Sequence, residues 1–184
     1  MSKRIALLSA AAFGALALTA TVVAPVSAQE KTVMVGGAAM FPSRNIIQNA
    51  VNSKDHTTLV AAVKAAGLVD TLEGKGPFTV FAPTNAAFGK LPAGTVDTLV
   101  KPENKATLTK ILTYHVVPGR LEASDLTDGK KLKTVEGEEL TVKKADGKVM
   151  IVDAKGGTAT VTIPNVHQSN GVIHVVDTVL MPAS

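Results

Sequence analysis

The stretch Phe78-Thr79-Val80-Phe81-Ala82-Pro83-Thr84-Asn85-Ala86-Ala87-Phe88 changes period halfway along. Phe78 to Ala82 is a short apolar run rich in β-formers, preceded by the breaker Gly74-Lys75-Gly76-Pro77, and it reads as a buried strand. Pro83 has no N–H to give a ladder, so the strand ends there. Thr84 is a good N-cap, and Asn85-Ala86-Ala87-Phe88 reads as the first turn of a helix. A buried strand that turns directly into a helix fixes the relative position of two layers. The rest of the chain is expected to pack around it.

On the N-terminal side, Ser43 is the expected cap of a helix with Ile46, Ile47, Ala50 and Val51 on one face. Thr57 is the expected cap of the next, in which Leu59, Val60, Val63 and Ala66 repeat at helical spacing and Gly67 fits the position past the end. On the C-terminal side, Pro102 suits the first position of a helix that runs to about Tyr114. Leu108, Ile111, Leu112 and His115 give that helix a core face ending in histidine. From Leu132 onward the period is two. Asp146-Gly147 marks a hairpin, and Ser169-Asn170-Gly171 marks a second tight turn before the apolar run Val172 to Leu180. Thr158, Thr160 and Thr162 alternate with Ala159, Val161 and Ile163. Helices come first and strands later, which predicts an α+β fold with a largely antiparallel sheet.

The beginning of the chain reads differently. Lys3 and Arg4 precede a nearly unbroken apolar run from Ile5 to Ala24, and Val26-Ser27-Ala28 places small residues where a signal peptidase cuts. Residues 1–28 are read as a secretory signal peptide. The rival reading is an uncleaved anchor, because about 20 apolar residues span a bilayer. Residues 29–42 are small, Gly-rich and aperiodic. They are expected to be extended, with Val33-Met34-Val35 pairing at an edge and Gly36-Gly37 breaking any longer element. Residues 43–182 form the expected domain. Without its first 28 residues the chain of 184 has 156, enough for one ordinary core. Lys3 and Arg4 are the only charges removed, so 17 basic and 15 acidic residues leave +2. A charge this small gives no strong pull toward nucleic acid. The seven lysines between Lys130 and Lys155 are set against acids at Asp128, Glu136, Glu138, Glu139, Asp146 and Asp153 and read as a solvated, sign-mixed sheet edge. The chain has no cysteine, so neither disulfides nor a lipid-modified cysteine are available.

The final signature, Asn170-Gly-Val-Ile-His-Val-Val-Asp-Thr-Val-Leu-Met-Pro182, completes a pattern with the Phe78–Phe88 stretch and the pair Tyr114-His115 between them. In that order and spacing the three closely resemble the fasciclin domain family, over roughly Ser43 to Pro182. The resemblance implies a β-wedge or sandwich of mainly antiparallel strands flanked by several short helices, with the two signature segments as neighbouring central strands. It implies a secreted or surface-associated protein with roles in cell adhesion and extracellular matrix contact, without catalysis. One departure is Asn85, where Asp is also common. A single copy of the domain is present, which weakens any multivalent mode of adhesion.

Tyr114, His115 and Asn85 are the candidates for partner binding. Two readings stand for Tyr114-His115: direct contact, which the resemblance supports, or closure of a helix with His115 bonded inside the fold. Phe78, Phe81, Pro83, Thr84, Phe88, His174 and Asp177 are read as structural signature residues. His174 and Asp177 fall on opposite faces of a regular strand and form no acid–base pair. The four histidines, His56, His115, His167 and His174, are dispersed, so no metal is expected. Neither a nucleophile elbow nor a phosphate-cradling loop is present, and no catalytic residue or cofactor is nominated. The predicted protein is an exported monomer, periplasmic or extracellular. It binds a protein or polysaccharide at the cell surface or matrix, with no nucleic acid and no stable membrane insertion after cleavage. The competing readings are an envelope scaffold or stress-related protein without a dedicated ligand and, third, an unrecognised hydrolase.

Overall fold

A computed structural model describes residues 31–183; the leader assigned to 1–28 lies outside the described residues. The described chain opens with an antiparallel hairpin, β1 (Val33–Val35) and β2 (Ala38–Met40). Gly36-Gly37 forms its turn, so Val33–Val35 pairs with the next three residues rather than with an existing sheet edge. Val35 and Met40 are buried and pin the hairpin to the domain.

Helix α1 (Ile46–Ala50) starts two residues later than Ser43 would place it. Asn45 accepts the Gln48 N–H at 2.8 Å, and Gln48 accepts the Asn45 N–H at 3.1 Å. This reciprocal pair satisfies two orphan donors together, which a lone serine cap does not. A short 3₁₀ turn, Lys54–His56, leads into α2 (Thr57–Ala66), and α3 (Val69–Glu73) follows. Next comes β3 (Phe78–Pro83) and then α4 (Asn85–Gly89), whose first turn is capped by Thr84 Oγ1 accepting the Ala87 N–H at 3.2 Å. Helices α5 (Thr95–Leu99) and α6 (Lys105–Tyr114) complete the helical layer. The remaining strands are β4 (Val116–Pro118), β5 (Lys131–Lys133), β6 (Glu139–Ala145), β7 (Lys148–Val152), β8 (Thr158–Gln168) and β9 (Gly171–Val176). Asp146-Gly147 makes the β6–β7 turn.

The sheet runs β4-β3-β9-β8-β7-β6-β5. All its pairings are antiparallel except β3–β9, the two signature segments, which lie side by side in parallel. The sheet curls until its ends approach, and the Val135 N–H donates to Val116 O at 2.8 Å. Curling divides the apolar side chains into two cores. Phe81, Val117, Leu132, Leu140, Val142, Ile151, Ala159 and Val176 fill the inside of the curl. Val80, Ala82, Ile173 and Val175 face the other way and pack on the helices through Leu59, Val63, Leu108, Ile111 and Leu112. Strands β3 and β9 therefore serve both cores, and every residue of β9 is buried.

Strand β8 does not keep its alternation. Ala159 and Val161 point into the curl, whereas Ile163 and Val166 pack on the helical side. The register with β9 shifts between Val161 and Ile163 and again between Ile163 and Val166. Each extra residue sends the next side chain to the other face.

Phe81 has no solvent exposure and sits at the shared strand pair. Phe81→Ala is expected to lower unfolding free energy by about 3–5 kcal/mol in denaturant melts. A loss below about 1 kcal/mol would show that the strand is not central to the fold.

Candidate partner-binding surface

The three residues nominated for binding do not converge. Tyr114 ends α6 with its ring wholly inside the curled sheet. Its hydroxyl donates to Glu139 O at 3.3 Å and accepts the Ala154 N–H at 2.9 Å. Burial raises the pKa of this phenol above its ordinary value. His115 is 2% exposed. The Leu180 N–H can only donate, so it fixes Nε2 as the acceptor, at 2.9 Å. Nδ1 then carries the proton and donates to Ile111 O at 2.8 Å. A partner docking on the folded surface meets neither ring. Both side chains instead tie the end of α6 to distant backbone: His115 ends the apolar face of the helix, and Tyr114 turns into the core inside the curled sheet.

His174 obeys the same rule. It is fully buried, stacks on Phe81 with ring centroids 5.7 Å apart, donates from Nε2 to Leu121 O at 2.7 Å and accepts the Asn165 N–H at 3.3 Å. Asp177 lies elsewhere, accepting from the Thr160 N–H at 2.8 Å and the Thr178 hydroxyl at 3.0 Å. Phe88 is buried in the helical core, Phe78 is partly buried against it, and Pro83 pairs with Val176 at the end of β3.

Asn85 is the nominated residue that reaches the surface. Thr57 is the first residue of α2 and supplies no side-chain cap. The cap arrives from another element: Asn85 Oδ1 accepts the Thr58 N–H at 3.0 Å and the Thr57 hydroxyl at 3.2 Å. Its amide donates to Lys54 O at 2.8 Å. One side chain thus joins the start of α4 to the start of α2, and an Asp here would lack the donor that reaches Lys54. Beside it lies an open depression of about 330 Å³, floored by Phe88 and rimmed by Thr58, Leu91, Pro92, Ala93 and Asp97.

The bonds of several polar anchors of the fold leave no local pattern in the sequence. Asn170 is buried, accepts the Ile46 N–H at 3.1 Å and donates to Leu72 O at 2.6 Å and Gly74 O at 2.9 Å. Asp153 takes the Gly157 N–H at 2.7 Å and the Met181 N–H at 3.0 Å. Thr79 links Gly119 O and the Leu121 N–H at 2.7 and 2.8 Å. Asn170 lies within the second signature, but its bonds to residues 96 to 124 positions away leave no local pattern. Among the described residues no group of three or more His, Asp or Glu side chains is placed to hold a metal, and no helix is long and apolar enough to cross a membrane.

The buried histidines make stability depend on pH. Burial pushes His115 down from 6.5 to about 4, and it also lowers His56 and His174. Between these values the unfolded chain binds a proton at His115 that the folded chain refuses. The stabilisation is complete above pH 6.5 and is lost as pH falls toward about 4. His115 alone is expected to account for ~3 kcal/mol of that loss. Urea melts across this range should show it, and His115→Asn should flatten the slope. An unchanged slope in the variant would contradict the buried neutral ring.

The family described as Fasciclin domain matches residues 54–182. Protein sll1483 of Synechocystis sp. is 48% identical over 168 residues, covering 91% of this chain and 90% of that protein. Immunogenic protein MPB70 of Mycobacterium bovis is 40% identical over 138 residues, 72% of this chain and 66% of the relative. Cell surface glycolipoprotein MPB83 of the same species is 41% identical over 153 residues, 80% of this chain and 64% of the relative. A FAS1 domain pair from the insect cell adhesion molecule Fasciclin I superposes with a TM-score of 0.68 at 20% identity, over 77% of this chain and 52% of that one.

Proposed function

The chain belongs to the fasciclin domain family, and from that premise we propose that it is an exported, non-catalytic binding module for a protein or polysaccharide at the cell surface or in the surrounding matrix. The observation that carries this reading is the depression beside Asn85. Its walls come from α2, α4 and the segment before α5, and the Asn85 amide locks the first two together. A preformed surface of this kind binds without first having to order itself. Export is proposed from the basic n-region, the apolar run and the small residues ending at Ala28. A relative that bears the name of a cell surface glycolipoprotein agrees with that setting. The final compartment is periplasmic or extracellular, and the working state is a monomer.

The second reading is an envelope scaffold without a dedicated ligand. It is favoured by the burial of Tyr114 and His115, which gives both rings a load within the fold.

The two separate in a capture experiment on the envelope and matrix fraction of the source cells. The bait is the purified protein beside Ala93→Glu, which places a charge at the rim of the depression on an exposed residue and leaves Asn85 intact. A partner held by the native protein and lost from the variant, at equal thermal stability, is the expected result. Equal retention would contradict the placement at Asn85. No retention by either bait would favour the scaffold.

A further inference from the structure

A second cleft, of about 720 Å³, opens where the far end of β8 meets the segment before β1. Lys31, Arg120 and His167 line it around the rings of Pro42 and Pro164. Among the described residues no carboxylate lines this cleft; Glu122 stands at its margin, 4.0 Å from His167 Nδ1. Arg120 is exposed but not loose. Its Nη2 donates to Gln168 O at 2.9 Å, which aims the guanidinium and leaves the rest of its fork for a ligand. A planar fork held in this way suits a carboxylate, which it can grip through two parallel hydrogen bonds.

The backbone of the cleft narrows the choice of partner. An extended peptide would bind by adding a strand to the free edge of β8, but that edge is closed. Pro164 has no N–H. Asn165 sits at φ 55°, its N–H is taken by His174 and its Oδ1 takes the Ala123 N–H at 2.8 Å. Gln168 O is taken by Arg120. A ligand here meets side chains and flat apolar rings instead of a ladder. No Phe, Tyr or Trp among the lining residues offers a base a broad stacking platform.

We propose that this cleft binds an acidic polysaccharide through its carboxylates, with Arg120 as the principal contact, Lys31 as a flanking charge, His167 as a flanking hydrogen-bonding group, and the C–H faces of the sugars over Pro42 and Pro164. The proposal rests on the reading of the protein as an exported binding module only for its setting. The cleft is separate from the depression beside Asn85.

The test is a titration with oligogalacturonate followed by backbone amide NMR, with neutral malto-oligosaccharides and polyglutamate as parallel probes. Oligogalacturonate should shift the amides of Arg120, Asn165, His167 and Ser169, and binding should weaken as salt rises through about 0.1 M. Arg120→Gln should weaken binding about tenfold or more, with Arg120→Lys between it and the native protein. Because Arg120 also holds Gln168, Lys31→Gln serves as the variant on an exposed side chain, and it should weaken binding severalfold with the melting curve unchanged. Ala93→Glu should bind oligogalacturonate as the native protein does, so failure here is distinct from failure at the Asn85 surface. The proposal is overturned if oligogalacturonate leaves those amides unshifted, if neutral sugars bind as tightly, or if polyglutamate competes equally.

Discussion

The parallel contact between β3 and β9 is the constraint on which the rest of the fold depends. The two strands are separated by residues 84–170, and they must come close at their starting ends. A Cβ on Gly171 would lie 2.0 Å from Phe78 O, and one on Gly76 would lie 2.2 Å from Asn170 O. Backbone cannot yield to such overlaps, so both positions require glycine. At the same corner the Phe78 N–H donates to Asn170 O, while the Asn170 side chain reaches the start of α1 and the end of α3. One turn thereby sets the register of the central strands and seats two helices. The pair then has helices on one face and the curled sheet on the other, so an error in its register would expose both cores together.

The polar signature residues follow from that arrangement. A histidine or tyrosine inside a dry core must have its polar atoms satisfied. Tyr114, His115 and His174 meet the requirement by bonding main chain in segments that carry no regular pairing of their own, near Ala154, Leu180 and Leu121. They hold irregular backbone that neither sheet nor helix would hold. The neutral imidazoles suit this task because each accepts on one nitrogen and donates from the other. The two proposed surfaces lie instead where loops meet rigid element ends, at Asn85 and at Arg120.

Much of the fold is legible in the sequence because it is local. The strand at 78–82, the cap at Thr84, the turn at Asp146-Gly147 and the apolar face of α6 each announce themselves within a few residues. What is not legible depends on distant partners. Asn85 caps a helix 27 residues earlier in the chain, and Asn170 bonds a helix start 124 residues away. Alternation along β8 predicts one face for Ile163 and the bulge gives the other, since a single extra residue leaves no mark on composition. The Asn45–Gln48 box is a local signal that the serine two residues earlier obscures. The candidate surfaces are the least legible part: the family resemblance points to Tyr114 and His115, while the helical spacing that ends the core face of α6 in His115 already carries the buried reading.

Native-state hydrogen exchange tests the central role of the β3–β9 pair most directly. The amides of Val80, Phe81, Ile173, His174 and Val175 should exchange only through global unfolding, at a higher opening free energy than those of the β6–β7 hairpin. If the β6–β7 amides prove the slowest and the β3–β9 amides open below the global value, the fold is organised around the outer sheet, and the parallel pair is not its foundation.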